Sequence, residues 1–251
     1  ALPLYRQWHI TAPQRLFAAA VKYESLGKIE AAQQLYKKLY ESYPQSQPAV
    51  EALLRSGQIY QYDQQQSQQA LLSFLQLQHD YPEHALVRKA QEEAAQIAKY
   101  SLRDYSRAIY FYQRLLEHPQ GDRDRYRFEI SDCYFRLDNY SQARIELDIL
   151  LEENPQTARL ADVLYRKAKL LLLENRLAEA RDIWQRLIDE FPDSNYIAEA
   201  RFNQAKLLEE DDRLQAALDL YQQVENYPYP ELLQKKIDHL KQRIAAKKKA
   251  I

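Results

Sequence analysis

Apolar residues recur along this chain at helical spacing, in pairs of short stretches separated by a break. Spacings of three and four residues place side chains on one face of a helix. One pair of stretches consists of Leu164, Ala168 and Leu171, followed by Leu177, Ala180, Trp184 and Leu187. No alternation at period two competes with this pattern. The sequence therefore predicts helices that are joined in pairs.

The paired pattern returns about every 37 positions, six times in all. The first helix of each repeat carries a tiny side chain: Ala20, Gly57, Ala94, Ser131, Ala168 and Ala205. The second helix carries a bulky one: Tyr36, Phe74, Tyr112, Leu147, Trp184 and Tyr221. Two helices approach closely only where the contact point carries almost no side chain. A fixed period of this length is typical of a solenoid built from stacked units.

The helix boundaries are also marked in the sequence. Residue types that tolerate a left-handed backbone stand at four of the internal breaks, namely Gly27, Asp138, Asn175 and Asp212. A proline, which cannot continue a helix, closes each repeat: Pro44, Pro82, Pro119, Pro155, Pro192 and Pro228. Two residues beyond three of these prolines, Ser46, Thr157 and Ser194 are predicted to start helices as N-caps.

Repeats two and three depart from the regular spacing. The small residue and the alanine of the second helix are 12 residues apart in repeat one, but 13 from Gly57 to Ala70 and 14 from Ala94 to Ala108. We therefore expect one and two extra residues in or near the internal turns of these repeats. The longer turns are predicted around Gln64–Gln66 and Ser101–Asp104.

The arrangement of small, bulky and proline positions resembles the tetratricopeptide repeat, over roughly residues 13 to 230. The phrases at Tyr40–Ser46 and Glu190–Ser194 are similar to those of bacterial envelope relatives. These relatives are the BamD lipoprotein of outer-membrane assembly and the periplasmic repeat protein associated with the Tol–Pal system. The resemblance implies a role in protein–protein interaction, in the periplasm or associated with the cell envelope; a cytoplasmic location is the alternative.

We therefore predict an all-α, right-handed α-solenoid of six helix–turn–helix repeats with a C-terminal capping helix. The repeats are placed at about 13–49, 50–86, 87–123, 124–160, 161–197 and 198–230. Residues 1–12 are expected to form either a partial cap or the stub of a longer chain. Residues 231–251 are expected to form the capping helix with a lysine-rich tail.

Composition narrows the function classes. A net charge of −1 argues against a general nucleic-acid binder, which needs an excess of Lys and Arg. No run of aliphatic residues is long enough to cross a bilayer, so membrane contact is expected to be indirect at most. The chain opens with Ala1 and has no methionine, which favours a processed or excised product. The single cysteine, Cys133, is expected to be a packed small hydrophobe.

The sequence holds no recognisable catalytic, metal-binding or cofactor-binding motif. The five histidines are scattered over different repeats, and none forms a zinc-type pair with another ligand. There is no glycine-rich phosphate loop. We therefore predict a protein that is not an enzyme and needs no cofactor.

The resemblance implies that first-helix side chains line a concave groove for a partner protein or peptide. Aromatic residues beside arginine are typical of interface anchors. The candidate partner-binding residues are Arg125, Phe128, Asp132, Tyr165, Arg166, Lys169, Phe202, Asn203 and Lys206. Their composition favours a partner with an apolar anchor and nearby acidic residues. The alternative is that the rings pack sideways onto the next helix.

The sequence thus favours a non-catalytic scaffold for a partner segment, in cell-envelope assembly or organisation. The alternative is an interaction domain of a larger protein that carries a catalytic or membrane module elsewhere. The partner's identity and the oligomeric state stay open.

Overall fold

The computed structural model describes residues 11–249, and in that range it contains thirteen helices that pack in successive pairs, and no strand. The predicted all-α architecture is therefore confirmed. The helices are α1 (Ala12–Ser25), α2 (Ile29–Ser42), α3 (Gln47–Gln58), α4 (Ser67–Asp80), α5 (Leu86–Gln96), α6 (Tyr105–Leu116), α7 (Arg123–Arg136), α8 (Tyr140–Glu153), α9 (Leu160–Leu173), α10 (Leu177–Glu190), α11 (Ile197–Glu210), α12 (Leu214–Gln222) and α13 (Pro230–Lys249).

The chain divides into two compact units, Ala1–Cys133 and Tyr134–Ile251. In the first unit the pairs α1–α2, α3–α4 and α5–α6 form helical hairpins, and the first helices α1, α3 and α5 contact one another in turn. In the second unit each helix from α8 to α13 contacts the next along the chain. Contacts between near neighbours are what a stack of repeats requires. Residues 1–10 of the expected N-terminal segment lie outside the described residues. The first helix, α1, begins at Ala12.

The small and bulky positions are buried as the sequence predicts. The alanines and the serine at the small first-helix positions, and the bulky second-helix residues, are at most 3% exposed. Gly57 shows how tight the contact is, since a β carbon built there would lie 2.6 Å from Cε1 of Phe74. Cys133 is also fully buried, as expected for a packed small side chain.

The four predicted left-handed turn residues all have positive φ, between 56° and 70°. They are Gly27, Asp138, Asn175 and Asp212. Each follows the end of a first helix, and the next residue donates a backbone hydrogen bond of 2.8–2.9 Å to the carbonyl five residues earlier. This bond satisfies a helix-end carbonyl and turns the chain into the second helix. The prediction of the turn residues is confirmed.

The extra residues of repeats two and three lie differently from the prediction. Each repeat has a π-helical turn at the end of its first helix, Ile59–Asp63 after α3 and Ile97–Ser101 after α5, followed by a left-handed Gln65 or Arg103. Each turn absorbs one residue, because its hydrogen bonds span five residues instead of four. Ala95, not Ala94, therefore corresponds to Gly57. The second extra residue of repeat three lies in the loop before α5.

The predicted helix starts are correct at one position and wrong at two. Ser46 directly precedes α3. However, α9 begins at Leu160 and α11 at Ile197, each three residues after the predicted cap. The reason is visible at Thr157, whose hydroxyl accepts a hydrogen bond from the backbone of Arg159 at 3.2 Å in a turn that precedes the helix.

The last helix covers the end of the second unit. Ile237 and Leu240 of α13 are 9% and 0% exposed and lie in a cluster with Ala217 and Tyr221 of α12. The polar face of α13 binds a carboxylate of α11. Lys236 and Arg243 both lie 3.0 Å from Glu209. One apolar stripe and one charged face are what a terminal helix needs in order to close a stack of repeats.

Candidate functional site

The predicted partner-binding residues fall on three first helices. Tyr165, Arg166 and Lys169 lie on α9, and Phe202, Asn203 and Lys206 lie on α11, all in the second unit. Arg125, Phe128 and Asp132 lie on α7 within the first unit.

The aromatic rings of the second unit pack onto the element that follows them. Tyr165 stacks on Tyr196 with ring centroids 4.2 Å apart, and its hydroxyl donates to Glu199 at 2.6 Å. Phe202 stacks on Tyr227 at 4.3 Å and is only 7% exposed. The expectation that Phe202 is open to a partner is therefore wrong, because Tyr227 covers its face. Tyr165 is half-buried and contributes to packing as well as to the surface.

The polar candidate residues of α9 and α11 all have partners. The ammonium of Lys169 lies 3.1 Å from the Tyr165 hydroxyl and 3.3 Å from Glu199. Lys206 lies 3.9 Å from Glu210, and the Asn203 amide donates to the backbone of Glu199 at 2.9 Å. Arg166 is half-buried and also has a partner. The charges of Lys169 and Lys206 are balanced by carboxylates of the same unit, which weakens the expectation of an acidic partner.

On α7, Asp132 is 9% exposed and forms an ion pair with Lys99 at 2.6 Å. Lys99 is 5% exposed and also contacts Glu129. Removing one partner of such a buried pair leaves an uncompensated charge, so Asp132 holds the unit together and is not an open binding position. Arg125 lies 3.5 Å from Glu92, and Phe128 is half-buried.

Two exposed tyrosines of the first unit were missed by the sequence reasoning. Tyr62 and Tyr100 occupy equivalent places in the two π-helical turns and are 62% and 61% exposed. Tyr62 donates its hydroxyl hydrogen to Glu93 at 2.7 Å, and Tyr100 donates to Glu129 at 3.0 Å. The irregular spacing of repeats two and three was the available signal, because π-helical turns are frequent at functional sites.

Tyrosine–carboxylate hydrogen bonds link neighbouring first helices in both units. In the second unit the Tyr196 hydroxyl donates to Asp162 at 2.5 Å. This bond, together with desolvation and the nearby negative charge, raises the pKa of Tyr196 from 10.0 to about 12. Burial, the hydrogen bond to Glu93 and its charge likewise raise the pKa of Tyr62 to about 12.

The raised pKa of Tyr196 predicts a loss of stability at alkaline pH. Because the folded chain holds this proton more tightly than the unfolded chain, the contribution is complete below pH 10 and is lost between pH 10 and about 12. Tyr196→Phe, which has no proton to lose, should show a smaller drop in urea midpoint between pH 9 and pH 11.5 than the wild type. Tyr229→Phe, at a ring 66% exposed, is the control. Equal drops in wild type and Tyr196→Phe would refute the linkage.

Residues 11–249 show neither a metal-ion cluster nor a membrane-spanning helix. That part of the chain contains no cluster of three or more His, Cys, Asp or Glu side chains suited to holding a metal ion. None of its helices has both the length and the apolar character needed to cross a bilayer.

Comparison with known proteins supports the repeat type. Residues 16–46, 51–84 and 162–194 match the family model described as tetratricopeptide repeat. No match is found among curated proteins.

Several solved structures share the fold. A tetratricopeptide repeat protein from Parabacteroides merdae is 18% identical with a TM-score of 0.54, covering 91% of this chain and 98% of its own. YrrB, described as a TPR protein with an unusual peptide-binding site, is 14% identical with a TM-score of 0.57, covering 82% and 97%. PilW, a type IV pilus biogenesis factor, is 18% identical with a TM-score of 0.52, covering 90% and 98%. At these identities the likeness concerns the fold alone.

Proposed function

We propose that this chain, whose helical hairpins are of the tetratricopeptide repeat type, is a non-catalytic scaffold that binds a segment of a partner protein. The proposed binding surface is the first-helix face, by which we mean the exposed tyrosines of the π-helical turns that end the first helices α3 and α5 in the first unit: Tyr62 and Tyr100. Tetratricopeptide repeat proteins are generally interaction scaffolds, and some of them bind peptides.

The observation that carries this proposal is the exposure of Tyr62 and Tyr100. Most bulky side chains of the repeats are buried, yet these two rings are 62% and 61% exposed at equivalent places in adjacent repeats. Tyrosine provides a large contact area at low entropic cost and a hydroxyl for hydrogen bonding, so it is enriched at interfaces. The hydroxyls are held by Glu93 and Glu129, which orients the rings before a partner arrives.

We further propose that the partner belongs to a bacterial cell-envelope assembly, with the chain in the periplasm or attached to the envelope. This proposal rests on the sequence resemblance to envelope repeat proteins and is supported by the shared fold of PilW, described as a type IV pilus biogenesis factor. Fractionation of cells that express the native gene tests it. Recovery of the protein in the cytoplasmic fraction alone would refute the envelope role.

The binding face is tested by selecting peptides from a display library of random ten-residue segments. The wild-type chain should enrich a defined set of peptides. A variant that combines Tyr62→Ala and Tyr100→Ala should bind that set more weakly by about 2 kcal/mol or more, the scale of interface hot spots.

The matched control carries two changes on second helices of the same unit: Leu72→Ala and Tyr110→Ala. These side chains lie on α4 and α6 and are 65% and 55% exposed. The control should retain wild-type affinity, with both variants folded by circular dichroism. Loss of binding in the control alone would place the binding surface on the second helices instead.

A further inference from the structure

A repeated constellation of one tyrosine, one glutamate and one lysine joins neighbouring first helices. In the second unit the Tyr165 hydroxyl donates to Glu199 at 2.6 Å, while Lys169 lies 3.3 Å from the same carboxylate and 5.0 Å from the centroid of the tyrosine ring. The cation therefore contacts both an anion and an aromatic face. Each of these contacts stabilises it.

The same constellation occurs in the first unit, on the π-helical turn of repeat three. Tyr100 donates to Glu129 at 3.0 Å, and Lys99 contacts that carboxylate and lies 5.0 Å from the centroid of the tyrosine ring. The chain thus supplies its own lysine to two tyrosine–glutamate pairs, one in each unit.

The pair formed by Tyr62 and Glu93 has no such lysine. Tyr62 donates to one oxygen of Glu93 at 2.7 Å and the Gln58 amide donates to the other at 3.2 Å, and both donors are neutral. Among residues 11–249, no lysine, arginine or histidine forms an ion pair with Glu93. Each carboxylate oxygen retains an unused acceptor site.

The Tyr62 ring is open on the surface beside this carboxylate. Gln61 donates to Ser101 at 3.1 Å, which ties the neighbours of Tyr62 and Tyr100 together and places the two exposed rings on adjacent turns. Only repeats two and three carry tyrosine at this place. The corresponding residues of the other repeats, five positions after the small residue, are Ser25, Arg136, Leu173 and Glu210.

We propose that Tyr62 and Glu93, with Tyr100 alongside, form a binding site for a lysine or arginine side chain of the partner segment. The partner's cation takes the place that Lys169 and Lys99 occupy in the two complete constellations: its charged hydrogens bind the carboxylate, and its charge lies over the Tyr62 ring. This proposal rests on the proposed function, because the cation site determines which partner segments bind. A basic partner residue is opposite in charge to the acidic partner residues that the sequence favoured.

The experiment measures binding of the full chain to three pools of ten-residue peptides. The pools have randomised flanks and a fixed central residue, which is Lys, Gln or Glu. The wild type should bind the Lys pool about tenfold more tightly than the Gln pool, the scale of one charge-assisted hydrogen bond, and the Glu pool most weakly. Glu93→Gln keeps the shape and an acceptor for Tyr62 but removes the charge, so it should bind the Lys and Gln pools equally.

Matched variants separate the site from general effects. Glu30→Gln removes one negative charge from the exposed surface of the second helix α2 and should keep the preference for lysine. Tyr62→Ala should weaken the Lys pool several-fold, while Tyr110→Ala, which removes a ring that is 55% exposed on α6, should not. Chemical denaturation of each variant checks the fold.

The outcomes distinguish this site from the proposed function. If the wild type binds the pools without preferring lysine, or if Glu93→Gln keeps the preference, the cation site is refuted while peptide binding stands. If no pool binds to the wild type, peptide binding itself is refuted, and the cation site with it.

Discussion

Replacing Trp184 with alanine is expected to lower the free energy of unfolding by about 3–5 kcal/mol. Trp184 is fully buried and packs in a cluster with Leu164, Ala168 and Leu187. Its removal leaves a cavity at the centre of repeat five, because the surrounding helices relax only in part. Urea denaturation followed by circular dichroism measures the loss.

Trp184→Phe is the matched control. The indole Nε1 of Trp184 is buried without a hydrogen-bond partner, and repeat two carries Phe74 at the equivalent place. Phenylalanine keeps an aromatic ring and removes the unsatisfied donor, so it should cost less than half as much as alanine. Equal losses for the two variants would mean that the ring does not fill the core as described.

Hydrogen exchange of Trp184→Ala should locate the damage. Because repeats are stabilised by their neighbours, protection should fall first in α9, α10 and α11 and persist in α1 to α3. A uniform loss of protection across the chain would contradict nearest-neighbour stabilisation.

Gly57→Leu is expected to destabilise the chain by about 1–3 kcal/mol. Even a single added carbon at this position would lie 2.6 Å from the Phe74 ring, so the helices α3 and α4 must separate. Gly57→Ala is informative as well, because alanine in a helix interior normally stabilises by up to about 1 kcal/mol. A loss of stability in Gly57→Ala would therefore report the close contact directly. Thermal melting provides the measurement.

A double-mutant cycle checks that Phe74 is the cause. Phe74→Leu opens space beside Gly57, so the Gly57→Ala, Phe74→Leu double variant should be more stable than the sum of the single changes predicts. Strict additivity would show that the strain at Gly57 comes from another contact.

The regular part of the fold could be predicted because it depends on local pattern. A small residue such as Ala168 and a bulky one such as Trp184 identify the two helices of a hairpin, and both are buried in the structure. The left-handed turns at Asn175 and Asp212 follow from residue types that tolerate positive φ. These features lie within one repeat and recur in six copies, so each copy supports the others.

The π-helical turns and the side-chain partners could not be predicted in the same way. The spacing in the sequence gives the number of extra residues in repeats two and three. This number does not show whether the extra residues form a longer loop or a π-helical turn. Phe202 was expected to face a partner, because the sequence does not show that Tyr227, 25 residues later, stacks on its ring. That Glu93 has no lysine beside it can be seen only by comparing the contacts between helices.

Site-specific photocrosslinking of the native protein in its host tests the central claim, that a partner segment binds along the first helices. A photoreactive amino acid is placed at Tyr62 or Tyr100 on the first-helix face, and at Lys37 or Tyr110 on second helices. We predict that one partner crosslinks at both first-helix positions and at neither second-helix position. Crosslinking of that partner at Lys37 or Tyr110, with none at Tyr62 or Tyr100, would contradict the claim.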